Sequence, residues 1–240
     1  MINDRIDLVH WRERLQREGR VQIADYLQPV AAERLRQCLE QEVPWTLALR
    51  DGAGARTIDH AAYAAMDEGA RAALLAQTAA EARAGDAGAG GEFRFAYDSY
   101  MMVTAYQQGR DPGLLLHRVL ELFNSPDYIA FARALTGDAR IRRANAQATR
   151  YQPGHFLRYH TDEEHSEGRL YAYVLNLSHH WQADWGGLLQ FIDADGQVLD
   201  TFLPRWNTLS LFAVPAGHAV SLVAPWARQD RLAITGWLLT

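Results

Sequence analysis

The stretch Tyr151-Gln-Pro-Gly-His-Phe-Leu-Arg-Tyr-His160-Thr-Asp162 joins one β-like run, Ile141–Tyr151, to a second, Phe156–His160, across a Pro-Gly break. Proline withholds a ladder donor and glycine favours a turn, so the two runs read as separate short strands. Outward from here the texture continues through Leu170–Leu177, Gly187–Ile192, Val198–Phe202, Thr208–Ala213, His218–Val223 and Leu232–Leu238. The gaps are too short and too rich in Gly, Pro, Asn and Asp to hold the helices that a parallel βαβ array requires. Short strands so spaced predict a two-sheet jelly roll, a cupin-like double-stranded β-helix.

Upstream of residue 139 the pattern is mostly helical. Leu8, Trp11, Arg12 and Leu15 recur at near-helical spacing within 7–18, and Gly19 suits a C-terminal cap. Val21–Ala24 reads as a short strand. Pro29 opens Val30–Glu42, with Ala31, Leu35, Cys38 and Leu39 on one face. An alanine-rich helix is expected over 60–84, a mobile loop over Gly85–Gly91, and two further helices over Leu114–Phe123 and Pro126–Leu135. The prediction is a mainly β fold with flanking helices (α+β). One domain spans 1–240, with 1–138 as helical support plus short strands and 139–240 as the jelly-roll core.

Composition narrows the chemistry. The chain has 240 residues, 48% hydrophobic and 22% charged, enough to bury a core without disulfides or a structural metal. Acidic residues (29) outnumber basic ones (24), which argues against nucleic acid as a ligand. Lysine is absent, so every basic residue is arginine, and a Schiff-base lysine, a P-loop lysine and a Ser-Lys dyad are excluded. Cys38 is the single cysteine, which excludes an intrachain disulfide and a thiolate zinc cluster. The N-terminus carries acids where a secretory signal would be basic, and no apolar run reaches about 18 residues. The expectation is a soluble cytoplasmic protein without a membrane partner.

His160 and Asp162, two apart at a strand end, would share a face in an extended chain and could grip one ion together. Alone, His-x-Asp is a common surface pairing. A third imidazole is available downstream at His218, after the Pro215-Ala216-Gly217 turn. Two histidines and one carboxylate on one face of a metal form the ligand set of non-haem Fe(II) oxygenases. Arg231 follows. Were His218 and Arg231 on neighbouring antiparallel strands, the guanidinium would enter the same barrel and pair with a carboxylate. The dicarboxylate 2-oxoglutarate needs both features, an iron to chelate its 2-oxo acid end and a fixed cation for its far carboxylate.

The ordered segments Tyr151–Asp162, Arg169-Leu-Tyr-Ala-Tyr-Val-Leu-Asn176, Trp185-Gly-Gly-Leu-Leu-Gln-Phe191, Pro204-Arg-Trp-Asn207, His218-Ala-Val and Arg231-Leu-Ala-Ile-Thr-Gly-Trp237 resemble the Fe(II)/2-oxoglutarate dioxygenases of the prolyl-hydroxylase group. Within it they are most similar to the ribosomal-protein prolyl hydroxylases. The resemblance covers about 139–240 and only loosely Gly19–Leu27. It implies that His160, Asp162 and His218 hold Fe(II) and that Arg231 binds the distal carboxylate of 2-oxoglutarate. By the same resemblance Tyr151 hydrogen-bonds that cosubstrate or packs the core. Thr235, sharing the strand face of Arg231, adds a hydroxyl near it. Trp237 continues the face toward the mouth or into the core, and Arg169 stands on the substrate side. Ala233 occupies a place where the family often has serine. The implied reagents are Fe(II), 2-oxoglutarate and O2, with ascorbate as an auxiliary reductant. The implied outcome is hydroxylation of a prolyl residue in a protein or peptide, a ribosomal one included.

Other residues attract less weight. His179 and His180 read as exposed loop residues, and His155 and His165 as solvated histidines. Tyr97, Tyr100, Tyr106, Tyr171 and Tyr173 read as packing. Three alternatives remain: a hydroxylase of a free amino acid or other small molecule, a non-catalytic cupin-like module holding a metal and a small acid, and, more weakly, a zinc hydrolase.

Overall fold

Alternation along the strands builds two faces, one against helices and one around a cavity. The computed structural model describes residues 1–52, 54–84, 94–163 and 168–240. The expected loop at Gly85–Gly91 and His165 lie outside the described residues. The strands are β1 (Arg20–Ile23), β2 (Thr46–Asp51), β3 (Gly54–Ile58), β4 (Phe95–Tyr100), β5 (Arg143–Ala144), β6 (Gln147–Tyr151), β7 (Phe156–His160), β8 (Arg169–Asn176), β9 (Leu189–Ile192), β10 (Val198–Phe202), β11 (Thr208–Ala213), β12 (His218–Val220) and β13 (Arg231–Leu239). The helices are α1 (Leu8–Glu18), α2 (Pro29–Gln41), α3 (His60–Ala65), α4 (Glu68–Ala84), α5 (Met102–Gln107), α6 (Leu115–Phe123) and α7 (Pro126–Thr136).

The strand order is β1-β11-β8-β13-β6-β4-β7-β12-β9-β10, antiparallel at each pairing. β4 carries the ribbon from one sheet to the other: Asp98–Tyr100 pairs with β6, and Phe95 and Ala96 pair with β7. At the far side, Arg20 on β1 meets Asp200 on β10 at 2.9 Å, and Gln22 Nε2 donates to the Leu203 carbonyl at 2.8 Å. Side chains thus nearly close the two sheets, β1-β11-β8-β13-β6 and β7-β12-β9-β10, into a jelly-roll barrel. The eight runs downstream of residue 139 all contain strands, although the six-residue run His218–Val223 keeps only three residues as β12.

Period-two alternation explains the sidedness. On β13, Leu232, Ile234 and Leu238 join Leu175, Leu177, Leu209, Leu211, Val21 and Ile23 in one buried cluster with the apolar faces of α1, α2, α6 and α7. Their neighbours Arg231, Ala233, Thr235 and Trp237 point the other way, into the barrel. The helices are capped as their sequences require: Asp7 accepts from His10 N–H and Gly19 closes α1 at φ 69°, while Ser125 and Gly137 do the same for α7. On α2 the buried face uses Ala32 in place of Ala31, with Leu35, Cys38 and Leu39 as expected. The alanine-rich stretch breaks into α3 and α4 because Asp67 accepts from Ala70 N–H and starts a new helix.

The sheet also draws in strands from the N-terminal half that the sequence reading left unassigned: β2, β3 and β4. Arg150 on β6 fastens β4 by a 2.8 Å bond to the fully buried Asp98, whose carboxyl burial pushes up to about 6. One close approach on β13 has a testable cost. The Tyr173 hydroxyl donates to the Asn145 carbonyl at 2.7 Å and Trp237 N–H donates to Asn145 Oδ1 at 2.7 Å. A Cβ at Gly236 would fall inside contact distance of that carbonyl and 2.9 Å from the Tyr173 hydroxyl. Gly236→Ala is therefore expected to cost about 1–3 kcal/mol of overpacking strain, seen as a loss of roughly 3–10 °C in Tm by thermal denaturation.

Candidate metal and cosubstrate site

β7 and β12 run antiparallel with His160 opposite His218, so the register itself puts two imidazoles side by side. Their ring centroids are 4.1 Å apart. Each ring is oriented by its own chain: Nδ1 of His160 lies 3.0 Å from the Arg158 carbonyl and Nδ1 of His218 lies 2.8 Å from the Ala216 carbonyl. An Nδ1–H donated to a carbonyl presents Nε2 as the atom through which each ring would meet a metal. Burial pushes His218 down to about 4, so this ligand is neutral at physiological pH.

Asp162 reaches the pair by a different route from the one that strand periodicity suggests. β7 ends at His160, and Asp162 has φ 60°, a left-handed turn that folds its carboxylate back. Such a conformation in a non-glycine residue is uncommon and concentrates at functional sites. Asp162 Oδ1 is 3.3 Å from His160 Nε2, and Oδ2 is 3.5 Å from His218 Nε2. Burial raises its pKa, but the His160 hydrogen bond and the neighbouring His218 outweigh burial and hold the carboxyl at about 2. One ligand atom from each residue lies within 4.8 Å of the others, a group able to hold a metal ion. With metal–ligand bonds of about 2.0–2.2 Å, this spacing suits a facial set with positions left open.

Arg231 faces this group from the opposite sheet. β12 pairs with β7 and β9, whereas β13 pairs with β6 and β8, so His218 and Arg231 are not on neighbouring strands. The segment after β12 crosses between the sheets, and the two residues look at each other across the interior. Arg231 is 2% exposed, and among the described residues its Nε and Nη1 have no hydrogen-bond partner. Its guanidinium lies 5.0 Å over the Tyr151 ring, its register partner. Burial lowers its pKa. An uncompensated buried cation is costly, and an anion in the cavity would relieve it.

The cavity, about 230 Å³, is lined by the three clustered residues together with Arg231, Tyr151 and Thr235. All six residues singled out from the sequence therefore converge. Arg169 donates to the Asp162 carbonyl at 3.3 Å and stacks 3.9 Å over Trp237, and both stand on the cavity wall. Tyr97, read as packing, lines the cavity too and stacks on Tyr151 at 5.2 Å. Gln147 and Thr149 on β6 were also missed; their alternation with Tyr151 was the available signal. His155 is fully buried, not solvated, and burial pushes it down to about 4. His180 is exposed, while His179 is half-buried against Trp206, 3.7 Å between ring centroids.

Residues 146–239 match the model of the 2OG-Fe(II) oxygenase superfamily. The matched segment is the β-rich core that carries all six of the cavity residues singled out above. Prolyl 3-hydroxylase OGFOD1 of Mus musculus is 31% identical over 118 residues, which is 46% of this chain and 21% of that protein, so the match spans about a fifth of the relative's length. Two solved structures share the fold over 97% of this chain. One is a prolyl-4-hydroxylase of Pseudomonas putida, with TM-score 0.56, 20% identity and 98% of its chain covered. The other is a prolyl hydroxylase of Trichoplax adhaerens in complex with a hypoxia inducible factor oxygen degradation domain peptide fragment, with TM-score 0.61, 18% identity and 88% covered. No described helix is long and apolar enough to cross a membrane.

His218→Ala should lower Mn(II) affinity at least about 100-fold, because even outer-sphere partners of metal ligands are worth 10–100-fold. Isothermal titration of the metal-free protein reads this directly, and unchanged affinity would remove His218 from the site.

Proposed function

We propose that this protein is an Fe(II)- and 2-oxoglutarate-dependent dioxygenase that hydroxylates a prolyl residue of a protein or peptide. The observation that carries the reading is the buried Arg231 guanidinium, whose Nε and Nη1 have no partner among the described residues, sharing one cavity with His160, Asp162 and His218. In this reading the two imidazoles and the carboxylate would hold Fe(II), with the 2-oxo acid end of the cosubstrate bound beside them. Bound iron with 2-oxoglutarate and O2 supplies an oxidation that releases succinate and carbon dioxide and places one oxygen on an unactivated C–H bond.

The chain's own residues bind and orient. Arg231 pairs with the distal carboxylate through two N–H groups, and Tyr151 beneath it keeps the guanidinium from turning. Thr235 sits further along the same strand face, toward the metal end of the cosubstrate. Leu189, Phe191 and Phe212 close the interior with apolar surface and exclude water. Arg169 and Trp237, stacked beside Asp162, form the substrate side. Among the described cavity residues Asp162 is the sole carboxylate.

A prolyl substrate is favoured by the relatives, named prolyl 3- and 4-hydroxylases, and by the peptide in the Trichoplax complex. A ribosomal protein is the target that the sequence resemblance suggests, with ascorbate as auxiliary reductant and the cytoplasm as the place of action. The test is succinate release together with an oxygen adduct detected by mass spectrometry, with prolyl peptides in one arm and free amino acids in the other. Adduct on peptides is the expected result; adduct on free amino acids alone makes the enzyme a small-molecule hydroxylase, and no succinate in any arm leaves a non-catalytic binding module. Arg231→Ala should raise KM for 2-oxoglutarate roughly 30-fold or more, the loss expected when one partner of a buried charge pair is truncated by about 2–5 kcal/mol.

A further inference from the structure

A carboxylate has about four lone-pair sites, and an arginine fork satisfies two of them. In a water-poor cavity the others need donors, since each unmet buried group costs about 1–3 kcal/mol. Strand register limits which donors can reach. On β13 the position two residues beyond Arg231 is Ala233, 1% exposed, whose methyl group offers nothing. Thr235 is two further on, about 13 Å along the strand from Arg231, too far for the same carboxylate. Asn176, the partner of Ala233 on β8, already turns its Nδ2 toward Thr208 and Ser210 at 3.3 Å.

The partner of Ala233 on the other side is Thr149 of β6. Paired residues share a sheet face, and Thr149 is 2% exposed and lines the cavity. It stands one inward position, about 7 Å, from Tyr151, which itself lies opposite Arg231. Among the described residues its hydroxyl reaches the Ala233 carbonyl alone, at 3.5 Å, beyond the usual 2.5–3.0 Å of an O–H···O bond. That proton is available to a better acceptor. Thr149 and Arg231 line the same cavity.

We infer that Thr149 is a cosubstrate-binding residue, its hydroxyl donating to the distal carboxylate that Arg231 holds. The donor missing from Ala233 on β13 is supplied across the register pair by β6. This rests on the cosubstrate reading above. It makes the grip on the diacid a property of two strands: β13 provides charge and β6 provides the neutral donor.

The test is calorimetric titration of the Mn(II)-loaded full chain with 2-oxoglutarate and with 2-oxobutyrate, which keeps the 2-oxo acid head and lacks the distal carboxylate. Thr149→Val preserves shape and removes the donor. It should weaken 2-oxoglutarate about 10-fold, at the low end for a hydrogen bond to a charged group, and leave 2-oxobutyrate unchanged. Thr149→Ser should stay within about twofold of wild type, and Ala233→Ser added to Thr149→Val should restore most of the loss. Mn(II) affinity, set by β7, β12 and the turn at Asp162, reports that each variant is folded, and Thr149→Ala replaces the valine variant should that one fail. Equal binding of 2-oxoglutarate by wild type and Thr149→Val, or equal weakening of both acids, overturns the inference alone. Wild-type protein that binds Mn(II) but neither acid overturns the cosubstrate reading, and the inference with it.

Discussion

One buried cation, Arg231, constrains the interior of this barrel. Taking a guanidinium out of water is worthwhile only if an anion meets it, yet no described protein group accepts from its Nε or Nη1. The Tyr151 ring face gives partial compensation. The remaining unmet donors suit the cavity to a small acid, which in the proposed reading the spacing of the two sheets would hold at a set distance from His160, Asp162 and His218.

The metal group has its own constraint. Two ligands come from register, because β7 and β12 pair with His160 opposite His218, and their tautomers follow from carbonyls two residues upstream. The third comes from leaving the strand: Asp162 occupies a left-handed turn, and Arg169 holds its carbonyl while stacking on Trp237. A cluster made from one strand pair and one turn is tied to β13, which carries both Arg231 and Trp237. In the proposed reading, cosubstrate grip and metal geometry would be linked through that one strand.

The N-terminal half does more than cover the barrel. Its helices fill the outer face of one sheet through a continuous apolar cluster. Its strand β4 bridges the two sheets, and Tyr97 from that strand enters the cavity and stacks on Tyr151. The position of Tyr151 under Arg231 is thus supported from a segment some fifty residues earlier in the chain.

Much of this was legible from residue order. Short strands broken by Gly, Pro and Asn follow from local turn chemistry and period-two alternation, which act over a few residues, and the helix ends at Gly19 and Gly137 follow from capping. Residue types likewise marked His160, Asp162, His218 and Arg231, since two imidazoles, an acid and an isolated cation suggest a chelated diacid. Tertiary structure alone decided the rest: that His218 and Arg231 oppose each other on separate sheets, that Asp162 turns back through a positive φ, that His155 is sealed from water and that Tyr97 and Thr149 face the cavity. Each of these depends on which distant strand lies alongside, a choice set by the summed burial of apolar faces and the closure of the sheet, and no local pattern encodes it.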